Sequence, residues 1–276
     1  MLQLTPETNS PQAIKNIDPA AVRRTIAELT FVTGIGHLPS CFSVVELLIV
    51  VYNKFLRHDP KNPQWPDRDY FILSKGHAAA TIFTVLAYAG YFPVELLLST
   101  YGKRNSLFGC HPDCNKVPGI EVSTGSLGHG MPLGIGIAMG LKIRKKTNKV
   151  FVLIGDGESN EGSIWEAAMV AAHQKLDNVI CLLDLNNSQI RCLPMTQLQE
   201  KWEAFGWNVV TADGHSLDDL EKAIGSLLAL KNGKPSIVIG NTVKGKGVSF
   251  LEKEFLTWHH RAPNKTEYET ILKELA

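Results

Sequence analysis

The chain has little of what marks a protein for a membrane, a nucleic acid or the cell exterior. Its 28 basic and 27 acidic side chains leave a net charge of +1, without a long run of one sign. That balance excludes a general basic field for nucleic acid and leaves small neutral or anionic substrates open. Apolar runs are short, and even residues 44–52 are broken by Glu46, so no membrane-spanning stretch is expected. Residues 1–11 lack the basic-then-apolar order of a signal peptide. The five cysteines, Cys41, Cys110, Cys114, Cys181 and Cys192, are odd in number and irregularly spaced, which points to free thiols rather than a disulfide framework. Cys110 and Cys114 bracket His111, but one such cluster without a second ligand pair reads as loop thiols, not a zinc site. Internal repeats and low-complexity tracts are missing too. Together these absences predict a cytoplasmic protein.

What is present suits one large α/β domain. A chain of 276 residues with 44% hydrophobic content can bury a sizeable core, and it is too short for three domains. The expectation is a single domain over 1–276 with a helical amino-terminal arm to about residue 35. Patterning predicts helices near 12–31, 43–55, 77–89, 93–100, 129–146, 162–175 and 216–230. Strands are expected near 69–73, 149–155, 178–184, 206–211 and 235–241. Runs rich in Val and Ile, separated by helices rather than tight turns, indicate a parallel sheet covered on both faces. Residues 101–132 differ: they are rich in Gly and Pro with little periodicity, and so long a loop is usually functional.

The most specific pattern joins two strand ends. Gly155-Asp156-Gly157 closes one apolar run and Asn186-Asn187 closes another, with Asp156 and Asn186 30 residues apart. A strand–helix–strand unit of that length returns both residues to the same sheet edge. Alone, Gly-Asp-Gly reads as a turn after a buried strand. Paired with the asparagine, it supplies oxygen ligands for a hard cation beside a backbone that a diphosphate can approach.

This arrangement resembles the thiamine-diphosphate-binding signature, and further segments narrow the resemblance to the transketolase family. They are Gly36-His37, the run from Asp67 to Ser74-Lys75-Gly76-His77, Gly109-Cys110-His111-Pro112, and Thr124-Gly125-Ser126-Leu127-Gly128-His129-Gly130. Glu161-Gly162, Lys244-Gly245-Lys246-Gly247 and Trp258-His259 complete the series. The resemblance covers nearly the whole chain. It implies the thiamin-diphosphate-binding fold, a mostly parallel sheet with helices on both faces, with thiamine diphosphate and Mg²⁺ (Ca²⁺ or Mn²⁺ substituting) as cofactors.

Carried onto matching positions, the resemblance implies metal ligation by Asp156, Asn186 and the Ser188 carbonyl. Asn186 is preferred to Asn187 by the family's spacing. Cofactor contacts fall to His77, Gly125, Ser126, Leu127, Gly155, Asp156, Gly157, Glu161, Asn186, Lys244 and His259. His37, His77, His111 and His259 are the expected catalytic histidines, since imidazole donates and accepts protons near neutrality. His259 is preferred to His260. The family commonly has Pro at Ser126 and Gln at His129, and for His129 a solvent-facing helix start remains the other reading. Glu161 matches a carboxylate that couples paired cofactor sites through a dimer interface.

The reaction implied is transfer of a two-carbon ketol unit from a ketose to an aldose, each free or phosphorylated. In the family, the glutamate that activates the aminopyrimidine belongs to a following domain on the other subunit, and this chain ends before such a domain. The expectation is therefore the amino-terminal subunit of a split transketolase. Its partner is a separate carboxy-terminal subunit of roughly 300 residues, in an α2β2 assembly. Alternatives are a subunit of a 1-deoxyxylulose 5-phosphate synthase-like or 2-oxoacid dehydrogenase E1-like enzyme, or a non-catalytic cofactor-binding regulatory subunit. The histidine set favours transketolase.

Overall fold

The computed structural model describes residues 17–190 and 193–276. Cys192, residues 1–16 of the expected arm and the first residues of the expected 12–31 helix lie outside them. Asp18 caps α1 (Pro19–Thr33) by accepting from the amides of Ala20 and Ala21, and Pro19 occupies a position where a missing N–H costs nothing. Gly34, at φ +69°, ends the helix in the left-handed region. Next come α2 (Leu38–Phe42), α3 (Val45–Val50) and a π-helical turn (Val51–Phe55).

Residues Leu38–Phe55 form a helical run of 18 residues with mean hydropathy 1.4, long and apolar enough by composition to cross a membrane. That corrects the expectation of no such stretch. The run is 83% buried inside the protein, and its polar members Ser43 and Glu46 are buried in hydrogen bonds. It is a core helix.

The remaining order is β1 (Tyr70–Leu73), α4 (Ala79–Tyr88), α5 (Val94–Thr100), α6 (Gly130–Ile143), β2 (Val150–Gly155), α7 (Gly162–His173) and β3 (Val179–Leu185). Then follow α8 (Leu198–Ala204), β4 (Asn208–Asp213), α9 (Leu217–Ala229), β5 (Ser236–Asn241), α10 (Ser249–Lys253) and α11 (Lys265–Glu274). The five strands pair in parallel in the order β1-β2-β3-β5-β4.

Alternation along each strand divides the core between the two faces. Phe71, Phe151, Leu153, Ile180, Leu182 and Val238 pack toward Ile26, Leu47, Phe83 and Leu220 of α1, α3, α4 and α9. Ile72, Val152, Ile154, Cys181, Leu183 and Ile239 pack toward Met131, Ile135, Ala167 and Trp202 of α6, α7 and α8. Both faces are dry, which is why the strands read as continuous apolar runs rather than alternating ones.

All five strands stand where patterning placed them, to within about two residues. The fourth is displaced most, because Gly206 at φ +86° still belongs to the turn that ends α8. The expected helices at 129–146 and 162–175 stop early, at left-handed Lys145 and Lys175 respectively. Helices α2, α8, α10 and α11 were not anticipated. For α11 a signal existed: Asn264 and Glu267 form a reciprocal capping box. This helix lies along α1, with Tyr268 stacked on Phe31 at 4.4 Å and Ile271 buried.

Candidate active site

Each strand delivers a polar residue just past its carboxyl end. Level registers, Leu73↔Leu153, Gly155↔Asp184, Asp184↔Gly240 and Asp213↔Asn241, keep those ends together. Lys75 follows β1, Asp156 follows β2, Asn186 follows β3, His215 follows β4 and Lys244 follows β5. The carboxyl edge of an open parallel sheet is where ligands bind in such folds, because loops and helix starts converge there.

The hub is Asp184, fully buried near the end of β3. It accepts from Lys75 Nζ at 2.5 Å, Ser43 Oγ at 2.8 Å, Asn186 Nδ2 at 2.7 Å and the Thr242 hydroxyl. Burial pushes its carboxyl up, yet Lys75 and these donors hold it below the ordinary range. With Asn186 Nδ2 committed to Asp184, Asn186 Oδ1 points the other way and accepts the Ser188 amide at 3.0 Å. Asn187, at φ +58°, is exposed and turns the chain there.

Asp156 is only 2% exposed, and its Oδ1 accepts the Gly157 amide at 2.7 Å. Among the described residues its buried Oδ2 has no hydrogen-bond partner. Burial and the charge of Asp184 raise its carboxyl. A buried carboxylate oxygen left unpaired is costly, and sites that tolerate it hold ligands. Among the described residues no three His, Cys, Asp or Glu side chains are arranged to hold a metal. A cation here would take one carboxylate oxygen, the Asn186 amide oxygen and a nearby carbonyl such as that of Ser188, a set suited to a hard ion such as Mg²⁺.

Around that point the protein is cationic. Lys244 is 3% exposed, with Nζ 3.2 Å from His259 Nδ1. Burial and repulsion from Lys75 bring its ammonium down to about 8. His37 stands at the centre of an imidazole cluster, with ring centroids 5.2 Å from His77, 5.4 Å from His259 and 4.7 Å from His260. Burial, then its histidine neighbours, lowers His37 to about 4. Burial and the charge of Lys75 lower His77 to about 2. His111, exposed at the rim, and His259 are also lowered, first by partial burial. Lys75 is paired with Asp184, whereas Lys244 has no salt bridge among the described residues, and its ammonium with the uncharged imidazoles as donors suits a diphosphate.

The glycine segments close over this edge. A Cβ on Gly76 would stand 2.8 Å from Gly125 N, so the turn after β1 and the long loop touch backbone to backbone. Thr124 Oγ1 donates to Leu73 O at 2.7 Å, and the His111 ring packs on Gly125. Ser126 is exposed and Leu127 half-buried beyond that crossing. His129 is exposed, its ring bonding among the described residues only to Leu127 O, as a helix-start residue would. Glu161 is likewise exposed, at the start of α7 with its side chain against Gly128, and with no salt bridge or side-chain hydrogen bond among the described residues.

Sequence reasoning overlooked several residues here. Glu158, 2% exposed, accepts from Ser74 Oγ, the Gly128 amide at 2.9 Å and the Gly155 amide at 3.1 Å, tying three segments together. Gln189 Oε1 is a second orphaned buried oxygen, beside Gly157. Asp184, Ser43, Thr242 and His215 carry no spacing signal, since each reaches the edge on a different element. His260 and His259 were weighed as alternatives, yet both rings reach the cluster.

Comparison with known proteins places this edge in context. Residues 21–273 match the family model described as the transketolase, thiamine diphosphate binding domain. The chain is 38% identical over 259 residues to a 6-deoxy-6-sulfo-D-fructose transketolase subunit of a Clostridium strain, covering 92% of this chain and 93% of that protein. It is 42% identical over 262 residues to an apulose-4-phosphate transketolase subunit of Actinobacillus succinogenes, covering 92% and 93% respectively. The transketolase structure from Campylobacter jejuni superposes with a TM-score of 0.85 at 27% identity, over 96% of this chain and 43% of that one. The motifs at the strand ends, the sheet they share and these matches agree that the chain belongs to the transketolase family.

Proposed function

We propose that this chain is the amino-terminal subunit of a thiamine-diphosphate- and Mg²⁺-dependent transketolase that moves a two-carbon ketol unit from a ketose to an aldose. The carrying observation is the buried Oδ2 of Asp156, unpartnered among the described residues, at the strand edge shared with Asn186 and near enough to Lys244 to feel its charge. Relatives matched over nine-tenths of both chains are named as transketolase subunits, which supports a separate carboxy-terminal partner, and the assembly we propose is α2β2. Those relatives are named for a sulfonated and a phosphorylated sugar, so an anionic sugar substrate fits. The free thiols of Cys41, Cys110, Cys114 and Cys181 accord with a cytoplasmic setting.

In this reading Asp156, Asn186 and the Ser188 carbonyl hold the cation, and Mn²⁺ or Ca²⁺ can substitute. Thiamine diphosphate, when bound, supplies the carbon nucleophile that cleaves the ketose. Lys244 would offset part of the diphosphate charge, the uncharged His77 and His259 would hydrogen-bond it, and Gly155, Gly157 and the Gly125-Ser126-Leu127 backbone would admit it closely. His37 and His111, neutral at working pH, hydrogen-bond the sugar hydroxyls and accept or return protons there. Glu161 is left exposed for contact with another subunit. The whole 1–276 segment acts as one diphosphate-binding domain.

The test is reconstitution. The purified chain mixed with a carboxy-terminal transketolase subunit should transfer glycolaldehyde units from ketose phosphates and not consume pyruvate. His111→Ala should reduce that turnover. Full activity of the chain alone would refute the two-chain assignment, and pyruvate-dependent product would favour the 1-deoxyxylulose 5-phosphate synthase-like chemistry. Undiminished turnover with His111→Ala would favour a regulatory subunit.

A further inference from the structure

Outside the residues already assigned, a buried polar chain runs from the first helix to the loop that carries Lys244. Arg23 of α1 donates from Nη1 to Glu46 Oε1 at 2.6 Å and from Nη2 to Glu46 Oε2 at 2.8 Å. Glu46 Oε2 stands 3.0 Å from His215 Nδ1. The Val243 amide points at His215 Nε2 at 2.8 Å. A backbone amide can only donate, so Nε2 is the acceptor and the imidazole proton sits on Nδ1, donating to Glu46. The side chains of Arg23, Glu46 and His215 are 6%, 5% and 9% exposed. The guanidinium already balances the carboxylate, so the imidazole joins the chain as a neutral group.

The position of Val243 gives the chain its meaning. It immediately precedes Lys244, and the amide on the other side of Lys244, that of Gly245, donates to Pro39 O at 3.0 Å. Both amides flanking the lysine are therefore pinned, one by fixed backbone and one by an imidazole. Gly245 sits at φ +82° with Leu251 backbone 2.7 Å from where a Cβ would be, which leaves that side of the loop no slack. The remaining freedom at Lys244 is controlled from the His215 side.

We propose that His215 is a positioning residue for Lys244: as a neutral Nδ1–H imidazole held by Glu46 and Arg23, it fixes the Val243 amide and thereby aims the Lys244 ammonium at a diphosphate. The proposal rests on the reading of Lys244 as a diphosphate contact. Among the described residues, Arg23, Glu46 and His215 make no side-chain hydrogen bond to the cation ligands or to the imidazole cluster.

Two substitutions separate the halves of the imidazole. Gln in place of His215 sets an amide oxygen near the Nε2 position and keeps an acceptor for Val243. Asn sets its amide near Nδ1, keeps a donor for Glu46 and abandons Val243. With the full-length chain, calorimetric titration with inorganic pyrophosphate and Mg²⁺ should show His215→Asn weaker than wild type by about tenfold, the upper end of what one lost hydrogen bond is worth. His215→Gln should bind within about threefold of wild type, at most about half of that loss in free energy. Equal affinity of His215→Asn and wild type, or equal losses in both variants, would overturn the proposal. Should a variant not fold, long-range proton–nitrogen spectra of the wild-type chain decide the matter: a protonated Nε2 on His215 overturns it, and a bare Nε2 with a protonated Nδ1 supports it. Failure of the wild-type chain to bind pyrophosphate would instead remove the diphosphate reading, and this proposal with it.

Discussion

Lys75 and Asp184 form a buried ion pair, Nζ to Oδ2 2.5 Å, and the same carboxylate oxygen accepts the Asn186 amide. One ion pair thus decides which way the Asn186 side chain faces. Lys75 sits at the end of β1 and Asp184 near the end of β3, with β2 between them, so the pair also bridges across the central strand.

Asp184→Asn strands the Lys75 ammonium in the interior and should cost about 3–5 kcal/mol of unfolding free energy, read from urea denaturation. The double variant Lys75→Met with Asp184→Leu removes the stranded charge and should recover part of that stability, since the Ser43, Thr242 and Asn186 donors still lose their acceptor. It should still lose about 10–100-fold in Mg²⁺ affinity, measured with thiamine diphosphate present, because the Asn186 amide has lost its orienting acceptor. Wild-type metal affinity in the double variant would show that other contacts orient Asn186.

Asp156→Asn should act in opposite directions on folding and binding. The wild-type carboxylate is raised by burial and by Asp184, so its ionised form is unfavourable in the folded chain. Removing it should stabilise the free chain by about 1 kcal/mol while abolishing metal-dependent binding of thiamine diphosphate. Because the folded-state value is raised, the stability gap between variant and wild type should close as the pH falls and Asp156 protonates. A variant less stable than wild type near neutrality would contradict this account.

Acid should unfold the chain partly through its histidines. His37 is lowered to about 4 from 6.5, so between those values the unfolded chain binds more protons and folding stability falls as the pH falls. His77, lowered to about 2, extends the same effect to lower pH. His37→Gln should flatten the dependence of melting temperature on pH between 6.5 and 4. An unchanged slope would mean that His37 titrates normally in the folded chain.

Pyrophosphate binding should weaken with alkali. Lys244 loses its charge above about 8, so affinity should fall as the pH rises through that value. Lys244→Met should bind about 10–100-fold more weakly, as expected for a lost charge-assisted bond, and its affinity should no longer fall there. Calorimetric titrations across the range provide the measurement, and a wild-type profile that is flat through 8 would count against Lys244 as a contact.

Much of this was legible in the sequence, for reasons that differ by residue. The strands showed because a sheet covered on both faces needs unbroken apolar runs such as 150–154 and 179–183, and few other structures tolerate them. Asp156, Asn186, Lys244 and the histidines showed because glycines and strand ends flank them at recognisable spacings. Helices α8 and α10 did not, being short and only partly apolar, and α11 was passed over despite its capping box. The apolar 38–55 run was underestimated because Glu46 looked like an interruption. Only the fold supplies the Arg23 and His215 that let it be buried.

By itself, then, the sequence determined the strand pattern, the parallel sheet and the residues that cap its carboxyl edge, since local periodicity and turn chemistry encode those. What it left open was who faces whom. The unpartnered oxygen of Asp156, the orientation of Asn186 by Asp184, the Lys75 pair and the Arg23–Glu46–His215–Val243 chain join residues from 2 to 169 positions apart. Such contacts depend on the order in which strands and helices pack, and on the exclusion of water that makes each unpaired charge matter. Tertiary structure alone decides both.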